Sequence, residues 1–321
     1  MIKTGTYLIN NQERTMVDIN IDKILTKLTK IIGTDRLQIN VPMNEHTTMR
    51  VGGLAKVLVL PESYEEVINI KKLLSDMEIP HYIIGNGSNL IVADSGYSGI
   101  IIKLSDNFSG VSVEGNEITA LAGTNIIAVS NAALKHSLSG LEFAAGIPGT
   151  TGGAVAMNAG AYECQMKDVI AETYCIDPMG EPLLLRGEDH EFGYRTSSIQ
   201  KNNLIVLKTK MKLIEGEQEK IKEKMLYFNS CRRDKQPLSF PSAGSVFKRP
   251  EGNYAGKLIQ EAGLKGFKIG GAMVSDKHCG FIVNTGNATA SDVISLIEYI
   301  KEKVYSNSGV LLEQEVKILG G

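Results

Sequence analysis

The sequence has little of what marks several large classes of protein. Tryptophan is absent, and the four cysteines, Cys164, Cys175, Cys231 and Cys279, are scattered through 321 residues without a C-x-x-C pair. This excludes a small disulfide-stapled scaffold and favours a chain with reduced thiols. There is no N-terminal apolar segment of the signal-peptide type and no 18-residue apolar run. We therefore expect a soluble, cytoplasmic protein.

The chain also lacks an excess of charge of one sign. It has 34 Lys and Arg against 36 Asp and Glu, for a net charge of −2. That balance gives no electrostatic basis for non-specific binding to nucleic acid or to an anionic membrane, so any anion site must be local. The five histidines form no H-E-x-x-H or similar spacing with cysteines or carboxylates. This argues against a metal ion held by the protein.

The elements expected from the pattern are mixed. At roughly 150 residues per domain the chain has room for two or three domains. Residues 19–28 suit an amphipathic helix, and Ser63 with Glu66 predicts a capping box that opens a helix through about Glu78. A β-hairpin is expected around residues 115–116, followed by a helix capped by Thr124 and closed by Gly140. An α+β fold is therefore expected, and an all-parallel sheet is not.

The segment Gly85-Asn86-Gly87-Ser88-Asn89 carries the first sign of a ligand. Consecutive residues that tolerate positive φ let backbone N–H groups converge into a concave anion site, and a pyrophosphate would fit it. The segment is not a dinucleotide-binding fingerprint, because Leu90 replaces the third glycine of G-x-G-x-x-G and a strand follows. An ordinary turn between strands remains the alternative reading.

The second segment is unusually rich in small residues. It runs from Gly146-Ile147-Pro148-Gly149-Thr150-Thr151-Gly152-Gly153-Ala154 to Ala161. Small side chains cannot fill a core by themselves, so this pattern suggests backbone lying directly against a large planar or phosphorylated ligand. Close packing of one element on another would produce the same composition.

Two further segments present charged and hydroxyl side chains on loops. In residues 192–198 Arg195 follows an aromatic residue, and an isolated surface ion pair would explain it as well as a functional role. In residues 232–250 basic side chains precede a Gly-Ser turn that carries Ser245, which makes a local anion patch. There is no G-x-S-x-G motif, so a serine hydrolase is poorly supported. A helix end followed by a capped turn is the alternative there.

Taken in order, six blocks resemble one family, that of the UDP-N-acetylenolpyruvoylglucosamine reductases (MurB). The blocks are Gly85–Asn89, Leu141–Gly149, Met157–Tyr162, Tyr194–Ser197, Ala243–Lys248 and Leu312–Val316. The resemblance spans roughly residues 44–320. One branch of the family has an insertion with a substrate-covering tyrosine, whereas the corresponding interval here is short and holds only Tyr227. The shorter branch is the better match, and a lid role for Tyr227 is not expected.

The resemblance implies an FAD-binding region of two subdomains, of the PCMH type, followed by a smaller α+β domain for substrate. The corresponding ranges are residues 1–106, an N-terminal extension with the first subdomain, residues 107–215 and residues 216–321. It also implies an NADPH-dependent, FAD-mediated reduction of UDP-N-acetylglucosamine enolpyruvate to UDP-N-acetylmuramate. This is a step of peptidoglycan synthesis, and so of cell-wall biogenesis, cell shape and cell division.

Site residues follow from the same resemblance. Non-covalent FAD would be held by Gly85, Asn86, Gly87, Ser88, Asn89, Leu90, Gly146, Ile147, Pro148, Gly149, Thr150, Gly152, Gly153, Ala154, Asn158 and Gly160. Arg232, Lys235 and Lys248 would bind the substrate, with Arg232 and Lys235 facing its diphosphate. Hydride addition at the β-carbon leaves negative charge on the α-carbon and its carboxylate. Arg195 and Glu315 would stabilise that charge, and Ser245 would give a proton to the carbon.

Two other classes remain possible. An FAD-linked hydroxyacid dehydrogenase or oxidase could share the same scaffold, because a fold does not fix a function. It would not need Glu315 or the paired Arg232 and Lys235. A catalytically inactive nucleotide-sugar binding module is the second alternative, and the presence of Arg195, Ser245 and Glu315 disfavours it.

Overall fold

The computed structural model describes residues 21–321. The helix predicted over residues 19–28 is found as α1, and its predicted start at Ile19 lies outside the described residues. The elements of the first third are α1 (Ile21–Ile32), β1 (Leu37–Pro42), β2 (Leu54–Val59), α2 (Tyr64–Asp76), β3 (His81–Ile84), β4 (Leu90–Val92) and β5 (Tyr97–Lys103).

The first sheet has the strand order β1-β2-β5-β3. β1 is antiparallel to β2, whereas β2 and β3 both run parallel to β5. The parallel pairing follows from α2, which carries the chain across the sheet between β2 and β3. The apolar face of α1, with Ile24 and Leu28, and that of α2 pack on this sheet and are almost fully buried.

The predicted capping box of α2 is only half formed. Ser63 Oγ accepts a hydrogen bond from the Glu66 N–H at 3.2 Å, as expected of an N-cap. The Glu66 carboxylate instead accepts from the Glu62 N–H at 2.7 Å and from the Arg36 guanidinium. Arg36, 30 residues away in the chain, competes for the carboxylate, and the local pattern does not reveal it.

The middle third is built from short strands. Its elements are β6 (Val111–Glu114), β7 (Glu117–Leu121), α3 (Ile126–Lys135), β8 (Leu138–Ser139), α4 (Thr151–Ala156), β9 (Gly160–Ala161), β10 (Cys164–Gln165), β11 (Ile170–Ile176), β12 (Pro182–Arg186), α5 (Ser198–Lys201), β13 (Ile205–Lys212) and β14 (Ile214–Glu215). Five strands form an antiparallel sheet of order β12-β11-β13-β7-β6. The predicted hairpin is β6–β7.

The predicted cap of α3 was wrong by one residue. Asn125 is the N-cap, and its Oδ1 accepts from the Ile127 N–H at 2.9 Å. The Thr124 hydroxyl donates to the Gly110 carbonyl and accepts from the Gly110 N–H, both at 2.9 Å. It therefore joins two loops and is not free to cap. The helix also ends at Lys135, five residues before Gly140.

The last third contains α6 (Gln218–Lys235), β15 (Ser242–Ser245), α7 (Ala255–Glu261), β16 (Lys268–Ile269), β17 (Ala272–Val274), β18 (Phe281–Asn284), α8 (Ala290–Ser308) and β19 (Lys317–Leu319). A third sheet, antiparallel, has the order β15-β18-β17-β16 and packs with α8 around an apolar core that also includes Met49, Val51 and Ile91 of the first third. The final strand, β19, does not join this sheet. It pairs in parallel with β4, so the chain end returns to the first third.

No helix among residues 21–321 combines the length and apolar character needed to cross a membrane.

Candidate active site

A large cavity of about 1690 Å³ lies where segments from all three sheets come together. Most residues predicted for the site line it: Gly85 to Leu90, Ile147 to Thr150, Gly152 to Ala154, Gly160, Arg195, Arg232, Ser245 and Glu315. The remaining four, Gly146, Asn158, Lys235 and Lys248, do not. Residues far apart in the chain thus share one concave surface, large enough for an extended ligand.

The loop 85–89 connects β3 to β4, and these strands belong to different sheets. Gly87 has φ +61°, and an added Cβ would lie 2.2 Å from the His46 carbonyl oxygen. At Gly85 it would lie 2.3 Å from Thr150 Oγ1, so both glycines are required by close approach. The backbone N–H groups of residues 86–89 donate no hydrogen bond to any residue within 21–321. These unused donors on the cavity wall suit an anionic group.

The second glycine-rich loop has glycines of two kinds. An added Cβ at Gly152 would lie 2.9 Å from Ala122 Cβ, so this glycine allows α4 to pack on the adjacent chain. At Gly153 the nearest atom would be Thr150 Oγ1 at 3.5 Å, and at Gly149 it would be Ser88 Oγ at 3.3 Å. Protein packing does not demand glycine at Gly153, which is exposed on the cavity side. The missing side chain there leaves room for a ligand.

Gly146 and Asn158 have structural contacts away from the lining. A Cβ at Gly146 would meet Asn229 Oδ1 at 2.7 Å and Arg232 Cδ at 2.9 Å, so this glycine brings α6 close to the loop. Asn158 is 1% exposed with φ 42°. Its amide donates to Gln165 and to the Gly193 carbonyl, and its oxygen accepts from the Lys167 N–H. Asn158 therefore fixes the shape of the loop that presents Gly160.

Arg195 and Glu315 form a half-buried ion pair across 120 residues of chain. Arg195 Nε donates to Glu315 Oε1 at 3.0 Å, and Arg195 Nη2 donates to the Gly160 carbonyl at 3.1 Å. Arg195 itself has φ +56°, a strained conformation for a side chain of this size. Burial raises the pKa of Glu315, outweighing the attraction of Arg195 and Lys248. The pair thus places a fixed cation beside a carboxyl group that binds protons readily.

Ser245 lies at the end of β15, next to the segment that carries Glu315. Its Oγ donates to the Phe247 carbonyl at 3.2 Å, and the Glu315 N–H donates to the Val246 carbonyl at 2.8 Å. His278, which the sequence interpretation missed, also lines the cavity near this serine. Its Nδ1 accepts from the Gly280 N–H at 3.1 Å, and burial lowers its pKa. The cavity end near β15 therefore combines a hydroxyl, a carboxyl, a guanidinium and a neutral imidazole.

Of the three predicted substrate cations, only Arg232 reaches the cavity. It is half-buried, its burial lowers its pKa, and no carboxylate within residues 21–321 lies within 4.0 Å of it. Lys235, one turn further along α6, is exposed, and Lys248 pairs with Glu313. Tyr227 is 64% exposed and does not line the cavity.

Another pair, at the β3 end of the cavity, was missed as well. Lys71 of α2, only 6% exposed, lies with its Nζ 2.7 Å from His81 Nε2, and both residues line the cavity. No motif marks them, because they are brought together by the packing of α2 on the first sheet. Within residues 21–321 no group of three or more His, Cys, Asp or Glu side chains could hold a metal ion.

Two family models match the chain in sequence. One is described as an FAD binding domain and matches residues 55–186; the other is described as UDP-N-acetylenolpyruvoylglucosamine reductase, C-terminal domain, and matches residues 236–319. The predicted order, an FAD-binding region followed by a smaller α+β domain, is confirmed, and so is FAD as the cofactor. The first match contains both glycine-rich loops. The unused N–H groups of residues 86–89 and the open space at Gly153 fit an extended ligand with a pyrophosphate.

Whole-chain comparisons agree. UDP-N-acetylenolpyruvoylglucosamine reductase of Caldanaerobacter subterraneus subsp. tengcongensis is 49% identical over 297 residues, 92% of this chain and 98% of that protein. The enzyme of the same name from Clostridioides difficile is 46% identical over 94% of this chain and 99% of that protein. The match to the crystal structure of UDP-N-acetylenolpyruvylglucosamine reductase (MurB) from Thermus caldophilus covers 88% of this chain and 98% of that chain, with 35% sequence identity and a TM-score of 0.77. Because relatives of this name are 46–49% identical over more than nine-tenths of the chain, the chain belongs to the UDP-N-acetylenolpyruvoylglucosamine reductase family.

Proposed function

We propose that this protein is a flavin-dependent oxidoreductase that uses NADPH to reduce UDP-N-acetylglucosamine enolpyruvate to UDP-N-acetylmuramate, a peptidoglycan precursor. The observation that carries the proposal is the convergence of Arg195, Ser245 and Glu315 on the cavity that the two glycine-rich loops also line. Family membership over almost the whole chain supports the same reaction.

The loops 85–90 and 147–154 would hold FAD, without a covalent bond. Bound there, FAD would supply the chemistry of hydride transfer between NADPH and the substrate's β-carbon. The N–H groups of residues 86–89 are the donors available for the pyrophosphate. Gly149, next to Ser88 of the first loop, and Gly153 leave room for the cofactor on the cavity side. Asn158 and Gly146 would not contact the cofactor themselves. They would fix the loops that contact it.

Arg195 and Glu315 would stabilise the charge that develops on the substrate. Hydride addition leaves an electron pair on the α-carbon that spreads onto its carboxylate. The Arg195 guanidinium is held in place by Glu315 and by the Gly160 carbonyl, so little reorganisation is needed when that charge appears. The raised pKa of Glu315 makes its protonated form more accessible, and that form could donate a hydrogen bond to the same charge.

Ser245 would supply the proton that completes the reaction at the α-carbon. A serine is a weak acid at neutral pH, but a carbanion-like centre is a strong enough base to take its proton if the hydroxyl is held within hydrogen-bond distance. In the structure the hydroxyl donates to the Phe247 carbonyl, which keeps it at the cavity wall.

Arg232 would bind the diphosphate of the substrate. A half-buried guanidinium with no carboxylate partner among the described residues has an unmet demand for an anion, and a diphosphate meets it. Lys235 and Lys248 stay predictions. The exposure of Lys235 and the pairing of Lys248 with Glu313 give their roles less geometric support than that of Arg232.

The domain ranges and the location are also part of the proposal. Residues 1–106, 107–215 and 216–321 would form two FAD-binding subdomains and a substrate domain. Each of the three larger sheets among the described residues lies within one of these ranges, which supports the boundaries. We place the enzyme in the cytoplasm, with a role in cell-wall biogenesis and therefore in cell shape and division.

The decisive experiment is Ser245→Ala, studied by rapid-mixing absorbance of the flavin. NADPH should bleach the flavin at the wild-type rate, while reoxidation by UDP-N-acetylglucosamine enolpyruvate should slow by about 10²- to 10⁴-fold. The matched control is Ser242→Ala, on the same strand but off the cavity lining, and it should leave both phases unchanged.

Equal slowing of both phases in Ser245→Ala would remove the serine from the proton-donor role. If wild-type flavin were reoxidised by a hydroxyacid's keto product and not by the enolpyruvyl substrate, the protein would be a hydroxyacid dehydrogenase on the same scaffold. If the purified protein were colourless, the assignment as a flavoenzyme of either kind would be contradicted.

A further inference from the structure

Asn89, at the end of the first glycine-rich loop, makes two hydrogen bonds to the segment that carries Glu315. Its side-chain Nδ2 donates to the Glu315 carbonyl oxygen at 3.3 Å. Its own carbonyl accepts from the Lys317 N–H at 3.0 Å. Asn89 and Glu315 are 226 positions apart in the chain. Asn89 therefore joins the loop to the backbone on both sides of Val316.

Glu315 is held from two other directions as well. Its N–H donates to the carbonyl of Val246, the residue after Ser245, and its carboxylate accepts from Arg195. Its carbonyl receives no other hydrogen bond from residues 21–321. The backbone of Glu315 is thus fixed by Val246 on its N–H side and by Asn89 on its carbonyl side.

The strand pairing after Glu315 strengthens this connection. β19 runs parallel to β4, with Lys317 opposite Leu90, and Leu90 directly follows Asn89. The Ala93 N–H closes the ladder by donating to the Leu319 carbonyl at 2.8 Å. The segment that bears Glu315 is therefore attached both to β4 and, through Asn89, to the end of the 85–89 loop.

We propose that Asn89 is a positioning residue for Glu315, and that it couples occupancy of the 85–89 loop to the placement of the Glu315 carboxyl group. The inference rests on the proposed function and deepens it. The N–H groups of residues 86–89 have no partner in the described protein, so the loop gains its hydrogen bonds when an anionic ligand binds. A loop fixed in this way holds the Asn89 amide against Glu315, and Glu315 then holds Arg195.

The first test compares Asn89→Ala with Asn86→Ala. Both residues lie on the same loop and line the cavity, but the Asn86 side chain has no hydrogen bond to the Glu315 segment. Both variants should bind FAD somewhat more weakly. Once loaded with FAD and saturated with the enolpyruvyl substrate, Asn89→Ala should be reoxidised about 10- to 100-fold more slowly than Asn86→Ala, because the Glu315 carboxyl group and its partner Arg195 are displaced. Bleaching by NADPH should be similar in the two variants.

The second test needs no activity. Amide hydrogen exchange of peptides covering residues 312–321 is followed in apoprotein and after addition of FAD. Binding should slow exchange in the wild type and in Asn86→Ala, and this protection should be lost in Asn89→Ala.

Equal exchange in the two variants, or no protection of these peptides by FAD in the wild type, would overturn the proposal. Failure of the wild-type enzyme to be reoxidised by the enolpyruvyl substrate would instead defeat the proposed function. In that case the hydrogen-exchange result would still test whether Asn89 couples the 85–89 loop to the Glu315 segment.

Discussion

Several single residues of the site are placed where folding alone would not favour them. Glu315 is a carboxyl group with a raised pKa, Arg195 has a positive φ, and Arg232 is a half-buried cation with no carboxylate partner among the described residues. Each of these features costs free energy of folding. Residues with such costs are typical of sites that bind or transform a ligand.

This cost leads to a prediction for Glu315→Gln. Because the pKa of Glu315 in the folded protein lies above its ordinary value of 4.5, folding favours the protonated form. The group's stabilising contribution is thus present at low pH and is lost as pH rises through the folded pKa. A neutral Gln should make the apoprotein more stable than the wild type at pH 7.5, and the gain should vanish at about pH 4. Reoxidation by substrate should fall by at least ~10²-fold.

Thermal unfolding followed by circular dichroism from pH 4 to 8 measures the effect, since the chain has no tryptophan for fluorescence. The control is Glu313→Gln, two residues away, whose side chain is 70% exposed. It should give no gain at pH 7.5. A Glu315→Gln protein less stable than the wild type at that pH would contradict the prediction.

At the scale of elements, α4 and its preceding loop show two different uses of glycine. Gly152 is buried against Ala122, whereas Gly153 faces the cavity with a single neighbour at 3.5 Å. Adjacent glycines in one helix therefore have different explanations: Gly152 is needed for packing within the protein, and Gly153 leaves space for the ligand.

Gly153→Ala and Gly152→Ala separate these demands. In Gly153→Ala the apoprotein should gain about 0.5–1 kcal/mol, because alanine is a better helix former than glycine. Its affinity for FAD should fall, since the new methyl group occupies cavity space. In Gly152→Ala the apoprotein should lose about 1–3 kcal/mol from the clash with Ala122. Urea unfolding of the apoproteins and FAD titration check both, and unchanged FAD affinity in Gly153→Ala would contradict the ligand explanation.

At the scale of the whole molecule, the third sheet is joined to the first third of the chain by a shared apolar core and by several polar contacts. Asp94, just after β4, accepts hydrogen bonds from the N–H groups of Ala290 and Ser291 at the start of α8, both at 2.8 Å. Asn284 donates to the Met49 and Arg50 carbonyls. These contacts help to hold the part of the chain with Ser245 against the part with the first glycine-rich loop, and both line the same cavity.

Asp94→Ala should therefore do more than remove a helix cap. It should cost about 1–2 kcal/mol and also lower the urea m-value, because the third sheet would unfold in part separately from the first. The matched control is Thr289→Ala, which removes the cap that α8 supplies for itself at the same end. That variant should cost about 1 kcal/mol with an unchanged m-value. Equal m-values in the two variants would show that Asp94 is only a cap.

The sequence by itself determined the local features of this protein. Local patterns predict α1, α2 and the β6–β7 hairpin, and local composition singles out the two glycine-rich loops and the segments with Arg195 and Ser245. Glu315 is indicated by the resemblance to the family and not by a local pattern. Tertiary packing decided the rest. Arg232 and Lys235 are three residues apart on α6, yet only Arg232 lines the cavity, because it lies against Gly146 of the second glycine-rich loop whereas Lys235 is exposed at the end of the helix. The pairing of β19 with β4 joins residues more than 200 positions apart. The side chain of Asn158 forms its hydrogen bonds with residues outside its motif and does not line the cavity. Such contacts depend on long-range register, which no local pattern encodes.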